Sequence, residues 1–239
     1  YQHKPALQYF TPEGIAYTYT YGDLWQAALA VAGAMQNHGI TEGDRVLLIG
    51  ANEPAWPMIY FGVLLADATV VPVDHDMSVD EVSRIAQTAK AQLIIHHEEW
   101  SLESDPSLSQ WSSLTWGDCL SAPPIAEAEV TLKSRRSQLA SLLFTSGTTG
   151  DPKGVMLSHE NFCSLVANLH QVFKVSHRDR FLSVLPLFHT FEFSGGLLMP
   201  LSVGAQITYI SDREGPTLRK AMKEIRPTGI IGIPALWDV

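Results

Sequence analysis

Alternation constrains this chain more than any other feature. Short, continuous apolar runs are separated by longer segments whose apolar residues recur at helical spacing. "RVLLIG" at 45–50, "TVVPVD" at 69–74 and "QLIIH" at 92–96 have the character of strands buried on both faces. Between them lie a helical segment at about 54–66 and another opened by "SVDE" at 78–81, where Ser78 and Glu81 have capping-box spacing. Strands joined through helices pair in parallel, because a parallel pair needs a crossover that a tight hairpin cannot supply. The expected class is therefore α/β, with stacked, mainly parallel sheets flanked by helices.

The alternation extends to both sides. "GIAYTYT" at 14–20 reads as a strand, and "TYGD" at 20–23 starts a helix in which Leu24, Ala28, Val31, Ala32 and Met35 recur until Gly39. Between 98 and 137 the pattern fades. Serine and proline accumulate and "SAPPIAEAE" at 121–129 reads as a connector, although Trp100, Trp111 and Trp116 imply that its first part packs. Strands resume at "LASLLF" (139–144), "VML", "FLSVLP" (181–186), "AQITYI" (205–210) and "TGIIGIP" (228–234), with a helix capped by Ser158. The expected division is an N-terminal α/β lobe over 1–130, ending in the Ser/Pro-rich connector, and a second α/β lobe over 131–239. No internal repeat is evident.

Composition excludes several classes. A chain of 239 residues can bury a sizeable core, and 46% hydrophobic against 17% charged residues is the balance of a globular protein, not a disordered one. The net charge of −9 argues against nucleic acid, whose backbone is bound largely by Lys and Arg. The short basic runs "LKSRR" (132–136) and "SHRDR" (176–180) read as solvated surface. Cys119 and Cys163 form no CxxC pair, which points away from a disulfide framework or zinc site and towards a reducing, cytoplasmic location. The longest apolar run, "MIYFGVLLADATVVPV", is broken by Asp67 and Pro72, so membrane contact is expected to be peripheral at most. Adjacent Asp74, His75 and Asp76 read as a surface loop. The chain opens at Tyr1 without a methionine and stops at "IPALWDV" in mid-pattern, which suggests a piece of something longer.

One stretch suits neither core nor helix. "FTSGTTGDPKGVMLSH" (144–159) packs the hydroxyls of Thr145, Ser146, Thr148 and Thr149 among Gly147, Gly150 and Gly154, beside Lys153. Glycine turns leave backbone N–H groups open to close approach, and hydroxyls with a lysine charge suit a phosphate. A plain hairpin would have no need of four hydroxyls. The Walker pattern is excluded because Gly154, not Ser or Thr, follows Lys153 and a strand comes next; the Rossmann G-x-G-x-x-G is missing too.

"FTSGTTGDPKGV" resembles, nearly residue for residue, the phosphate-binding signature of the adenylate-forming superfamily, in particular AMP-forming acyl-CoA synthetases of the long-chain fatty acid type. "GDRVLLIGANEPAWPMIYFGVLLADATVVPVD" and "LPLFHTFEFSGGLLMPLSVGAQITYI" are similar to the N-terminal region of that family. The resemblance implies that Thr145, Ser146, Gly147, Thr148, Thr149, Gly150 and Lys153 hold the ATP phosphates, with Gly154 allowing the turn and Thr145 helping to hold Mg²⁺. It raises His189 to a catalytic and substrate-binding position and places Phe191, Gly195 and Gly196 at the wall of an acyl pocket. It implies a fatty acid or other carboxylate, ATP and CoA as substrates. An acyl carrier protein as acceptor, or a non-catalytic nucleotide-binding module, are the alternatives. The family's remaining motifs, including the catalytic lysine and the Mg²⁺-binding glutamate, should lie beyond Val239, so the piece is expected to be inactive alone. His159 is expected to start a helix.

Overall fold

The computed structural model describes residues 1–100, 108–127, 130, 136–145, 153–212 and 214–234. In chain order, β1 (Pro5–Thr11) and β2 (Gly14–Thr20) are followed by α1 (Tyr21–Asn37), β3 (Arg45–Ile49), α2 (Ala55–Leu65), β4 (Thr69–Val73), α3 (Val79–Ala89) and β5 (Leu93–His96). Then come β6 (Ser112–Thr115), α4 (Trp116–Leu120), β7 (Leu139–Thr145), β8 (Lys153–Ser158), α5 (His159–Val172) and β9 (Arg180–Ser183). A crossover of three pieces follows: α6 (Thr190–Glu192), a π-helix (Phe193–Leu198) and α7 (Met199–Ser202). The described part closes with β10 (Gln206–Ile210), α8 (Gly215–Ile225) and β11 (Gly229–Ile230).

Two compact units interleave along the chain. One contains Tyr1–Trp25, Asn52–Pro54 and Phe162–Val239; the other contains Gln26–Ala51 and Ala55–Asn161. This differs from a cut near residue 130, because long-range strand pairing decides membership. β1 pairs in parallel with β10, Leu7 opposite Ile207, which brings the start of the chain to its far end.

The second unit is a six-stranded sheet of order β6-β5-β3-β4-β7-β8, parallel except for the β7–β8 pair. Its central strands are buried as continuous apolar runs demand: Leu47, Ile49, Val71, Val73 and Ile94 pack with Val82, Ile85, Ala86 and Ala89 of α3. Ser78 caps α3 reciprocally with Glu81, and the Glu81 carboxylate accepts from Ser78 N at 3.0 Å. The first part of the Ser/Pro-rich segment packs, as its tryptophans imply, and 121–126 follows without a strand or α-helix. β6 adds to the sheet beside β5, and Trp116 is buried where a Cβ on Gly50 would lie 2.0 Å from the indole.

The first unit is a five-stranded sheet of order β11-β9-β10-β1-β2, antiparallel only at β1–β2. Phe10, Leu182, Val184, Ile210, Ala221 and Ile225 form a core cluster on it.

The units share a motif that the sequence does not show. β3-α2-β4-α3-β5 has spatial order β5-β3-β4, and β9-crossover-β10-α8-β11 has spatial order β11-β9-β10. Each run opens with the same turn. Asp44 accepts from Thr41 N at 2.7 Å and Thr41 Oγ1 at 2.9 Å, and Asp179 accepts from Ser176 N at 2.7 Å and Ser176 Oγ at 2.9 Å. The following arginine reaches the carbonyl end of the second helix in each run. Arg45 Nη1 donates to Ala89 O at 2.7 Å, while Arg180 donates to Ile225 O at 3.1 Å and Arg226 O at 2.8 Å. Both helices end in a left-handed residue, Lys90 or Arg226. The repeat escapes sequence reading because it consists of backbone topology and a few polar contacts at matching places, with different apolar residues between them.

Candidate functional site

In the first unit the chain leaves β9 and enters "PLFHTFEF". Asn52 clasps this turn: its Nδ2 donates to Leu185 O at 2.6 Å and to Ser183 Oγ at 3.3 Å, and its Oδ1 accepts from Leu187 N at 2.9 Å. Ser183 Oγ in turn donates to Glu192 Oε1 at 2.6 Å, within the buried interior. Buried polar groups are retained when they are bonded, and a connected set of this kind rigidifies the backbone that carries it. Here the rigid backbone is the one that presents His189.

His189 is exposed and stands at the N-cap of α6 in an extended conformation. Its N–H donates to Pro186 O at 3.2 Å and its carbonyl accepts from Phe193 N at 3.0 Å. The imidazole makes no cap bond; its ring rests against Phe188 with centroids 4.2 Å apart. Backbone bonds therefore hold the residue while the ring is presented outward.

Beyond it the helix changes register. Met199 N donates to Ser194 O, five residues back, which makes Phe193–Leu198 a π-turn. Such turns are rare and occur frequently at functional sites. This one walls a cavity of about 540 Å³, within the range of small-molecule pockets. Leu165, Leu169, Phe173, Phe181, Phe191 and Ile231 supply much of its apolar lining. Phe191, one of these lining residues, is 59% exposed. Gly195 also lines the cavity, and a Cβ there would come 3.1 Å from Ile231 Cδ1. Gly196 faces elsewhere: a Cβ would meet the Glu192 carboxylate at 2.4 Å, so this glycine makes room for the buried acid.

The phosphate-loop candidates belong to the second unit. Thr145 ends β7 and Lys153 starts β8, and the two stand opposite each other in antiparallel register. Lys153 is exposed. Gly154 tucks under Leu142, whose Cδ1 would lie 2.9 Å from an added Cβ. Ser146, Gly147, Thr148, Thr149 and Gly150 lie outside the described residues. The structure thus brings Thr145, Lys153 and Gly154 together on one strand pair, and His189, Phe191 and Gly195 around one turn and cavity.

His159 is the first residue of α5, and its N–H donates to Gln138 O at 3.1 Å. Burial of the ring lowers its pKa, opposed by the charge of Asp67. Asp74, His75 and Asp76 cluster, but both imidazole nitrogens face carboxylates, at 3.5 Å and 3.3 Å, as in a solvated turn. No helix among the described residues is long and apolar enough to cross a membrane.

Sequence reasoning missed Asn52, Ser183, Glu192 and Ser194. The one available signal was the acid in "FHTFEFSGG", since a glutamate inside an apolar stretch is costly to bury without partners. Asn52 carried none, because its partners stand more than a hundred residues away.

The AMP-binding enzyme family matches residues 1–239. The long-chain fatty acid–CoA ligase ACSBG2 of Homo sapiens is 26% identical over 245 residues, which cover 91% of this chain and 36% of that protein. Among solved structures, ATP-bound MatB from Rhodopseudomonas palustris superposes with a TM-score of 0.86 at 22% identity, over 99% of this chain and 48% of that one. A fatty acyl-adenylate ligase from L. pneumophila, in complex with acyl adenylate and pyrophosphate, gives 0.80 at 24% identity, over 95% and 41%. The chain spans less than half the length of each.

Proposed function

The chain belongs to the AMP-binding enzyme family, the adenylate-forming enzymes, and from that premise we propose that it carries the phosphate strands and acyl pocket of an ATP-dependent fatty acyl-CoA synthetase. The observation that carries the acyl assignment is the apolar cavity beside the rigidly held His189 turn. A flexible hydrocarbon chain needs apolar walls, and a carboxylate needs a fixed polar residue at their edge. Similarity to a long-chain fatty acid–CoA ligase over 91% of the chain supports the same reading.

The reaction follows from the chemistry of the groups. A carboxylate oxygen attacks the α-phosphorus of ATP, forming the acyl–phosphate bond as the bond to pyrophosphate breaks. A CoA thiol, losing its proton, then attacks the acyl carbon and releases AMP. Both reactants of the first step are anions, so donors fixed at the phosphates contribute through electrostatic stabilisation. Lys153 supplies one such charge at the mouth of the β7–β8 pair. Thr145 offers a hydroxyl oxygen, the donor type that Mg²⁺ prefers; the ion would supply further neutralisation of the phosphates. His189 would orient the carboxylate, and Phe191 and Gly195 would shape the acyl end.

Pyrophosphate release by the full-length protein, measured over a panel of fatty acids, tests this. Lys153→Ala should lower kcat/KM for ATP by roughly ten- to a hundredfold, the effect of one charge-assisted hydrogen bond. His189→Ala should slow every acid, while Phe191→Ala should reorder the panel by chain length. Wild-type behaviour in all three variants would sink the assignment.

A further inference from the structure

The cavity is largely apolar, yet its wall contains a buried hydroxyl that is unpaired among the described residues. Ser194 lines it, is 3% exposed, and its Oγ has no hydrogen-bond partner among the described residues. The neighbouring hydroxyl of Thr228 is occupied, donating to Asp179 Oδ1 at 2.8 Å, and Thr190 is exposed to water. A helical serine ordinarily bonds back to the carbonyl of the preceding turn. Ser194 makes no such bond among the described residues. Alanine would fill the same place without burying an unpaired donor, and unpaired buried groups are uncommon enough in native proteins to demand a reason.

Resting on the acyl-pocket reading above, we propose that Ser194 reads an oxygen atom on the substrate. The pocket takes a carboxylic acid whose apolar chain bears a hydroxyl or oxo group, and the Ser194 O–H donates to that oxygen. An unsubstituted fatty acid would leave the serine unpaired, so the site discriminates by hydrogen bonding. A pocket built this way rejects the analogue lacking the group more strongly than a plain apolar slot can reject an extra methylene.

Displacement of a fluorescent fatty acid, cis-parinaric acid, from the full-length protein tests the idea without requiring turnover. The competitors are decanoic acid and decanoic acids carrying a hydroxyl or oxo group at successive carbons. One position, or two neighbouring ones, should bind about tenfold more tightly than decanoic acid, the effect of one buried hydrogen bond. Ser194→Ala should erase that preference, leave decanoic acid unchanged or tighter, and raise the melting temperature of the unliganded protein. Equal displacement by all acids in the unmutated protein overturns the inference and leaves the acyl pocket standing. Uniform weakening of all acids in Ser194→Ala also overturns it, because the serine would then be binding the carboxylate. If the fluorescent acid does not bind at all, the acyl-pocket reading fails and this inference with it.

Discussion

In the second unit the crossover after β3 is α2, one unbroken helix with seven of its residues buried, Trp56 and Tyr60 among them. In the first unit the crossover after β9, at the same topological place, is broken into α6, a π-turn and α7. The unbroken helix uses its length to fill a core. Its broken counterpart leaves a cavity, a buried acid and an exposed histidine at the carboxyl end of a parallel strand, which is where open α/β sheets place their ligands. One βαβαβ plan thus carries a crossover that fills a core in one unit and a crossover with a π-turn that lines a cavity in the other.

Alanine at matched glycines should separate the two halves most sharply. At Gly62, in α2, an added Cβ would sit 2.3 Å from Val31 Cβ and 2.8 Å from the Ala28 carbonyl, and neither can move cheaply. We expect Gly62→Ala to cost about 2–3 kcal/mol in urea unfolding, as overpacking does. Gly195→Ala meets only the tip of Ile231, which can shift. Its stability should change by no more than about 1 kcal/mol, with better helix propensity offsetting the contact. Its acyl preference should move towards shorter or thinner acids. Equal destabilisation by both substitutions would break the comparison.

The paired arginines come next. Arg180 makes two bonds to the carbonyl end of α8, and Arg45 makes one to that of α3. Arg180→Met should cost about 1–2 kcal/mol and Arg45→Met about 0.5–1 kcal/mol, from lost bonds and lost charge at a helix C-terminus. Thermal melts of the two variants check the order, and Arg45→Met being the worse would count against the repeated capping role.

The smallest effect concerns pH. Burial raises the Asp179 pKa, but hydrogen bonds from Ser176 N–H, Thr228 and the Ser176 hydroxyl outweigh it, so the net shift is downward. A lowered carboxylate contributes stability that is fully present above its unfolded value of about 3.9 and is lost as pH falls through the lower folded value. Melting temperature should therefore drop below about pH 4 by more in the wild type than in Asp179→Asn, which has no charge to lose at that site. Identical pH profiles would mean that this turn contributes nothing measurable.

Much of the molecule was legible in residue order because its signals are local. β3, β4 and β5 are continuous apolar runs, and the capping box at Ser78 and Glu81 closes within one helical turn. β1 was not legible: "PALQYFT" mixes burial states irregularly, and its parallel partner is β10, at the other end of the chain. β6 and α4 were hidden in a Ser/Pro-rich segment, where Trp100, Trp111 and Trp116 hinted at packing but not at its form.

The sequence by itself determined the α/β class and the family, since each rests on patterns in residue order that pairing elsewhere cannot undo. Tertiary structure alone decided the interleaved units, the repeated βαβαβ plan and the site's support. Asn52 holds the His189 turn only because the fold carries it to residues 131 to 135 positions away. Gly195 and Gly196, adjacent in the chain, diverge for the same reason: in a π-turn one faces the cavity and the other a buried carboxylate. A side chain's type is written in its own position, but what it touches depends on distant segments that share its cost of ordering.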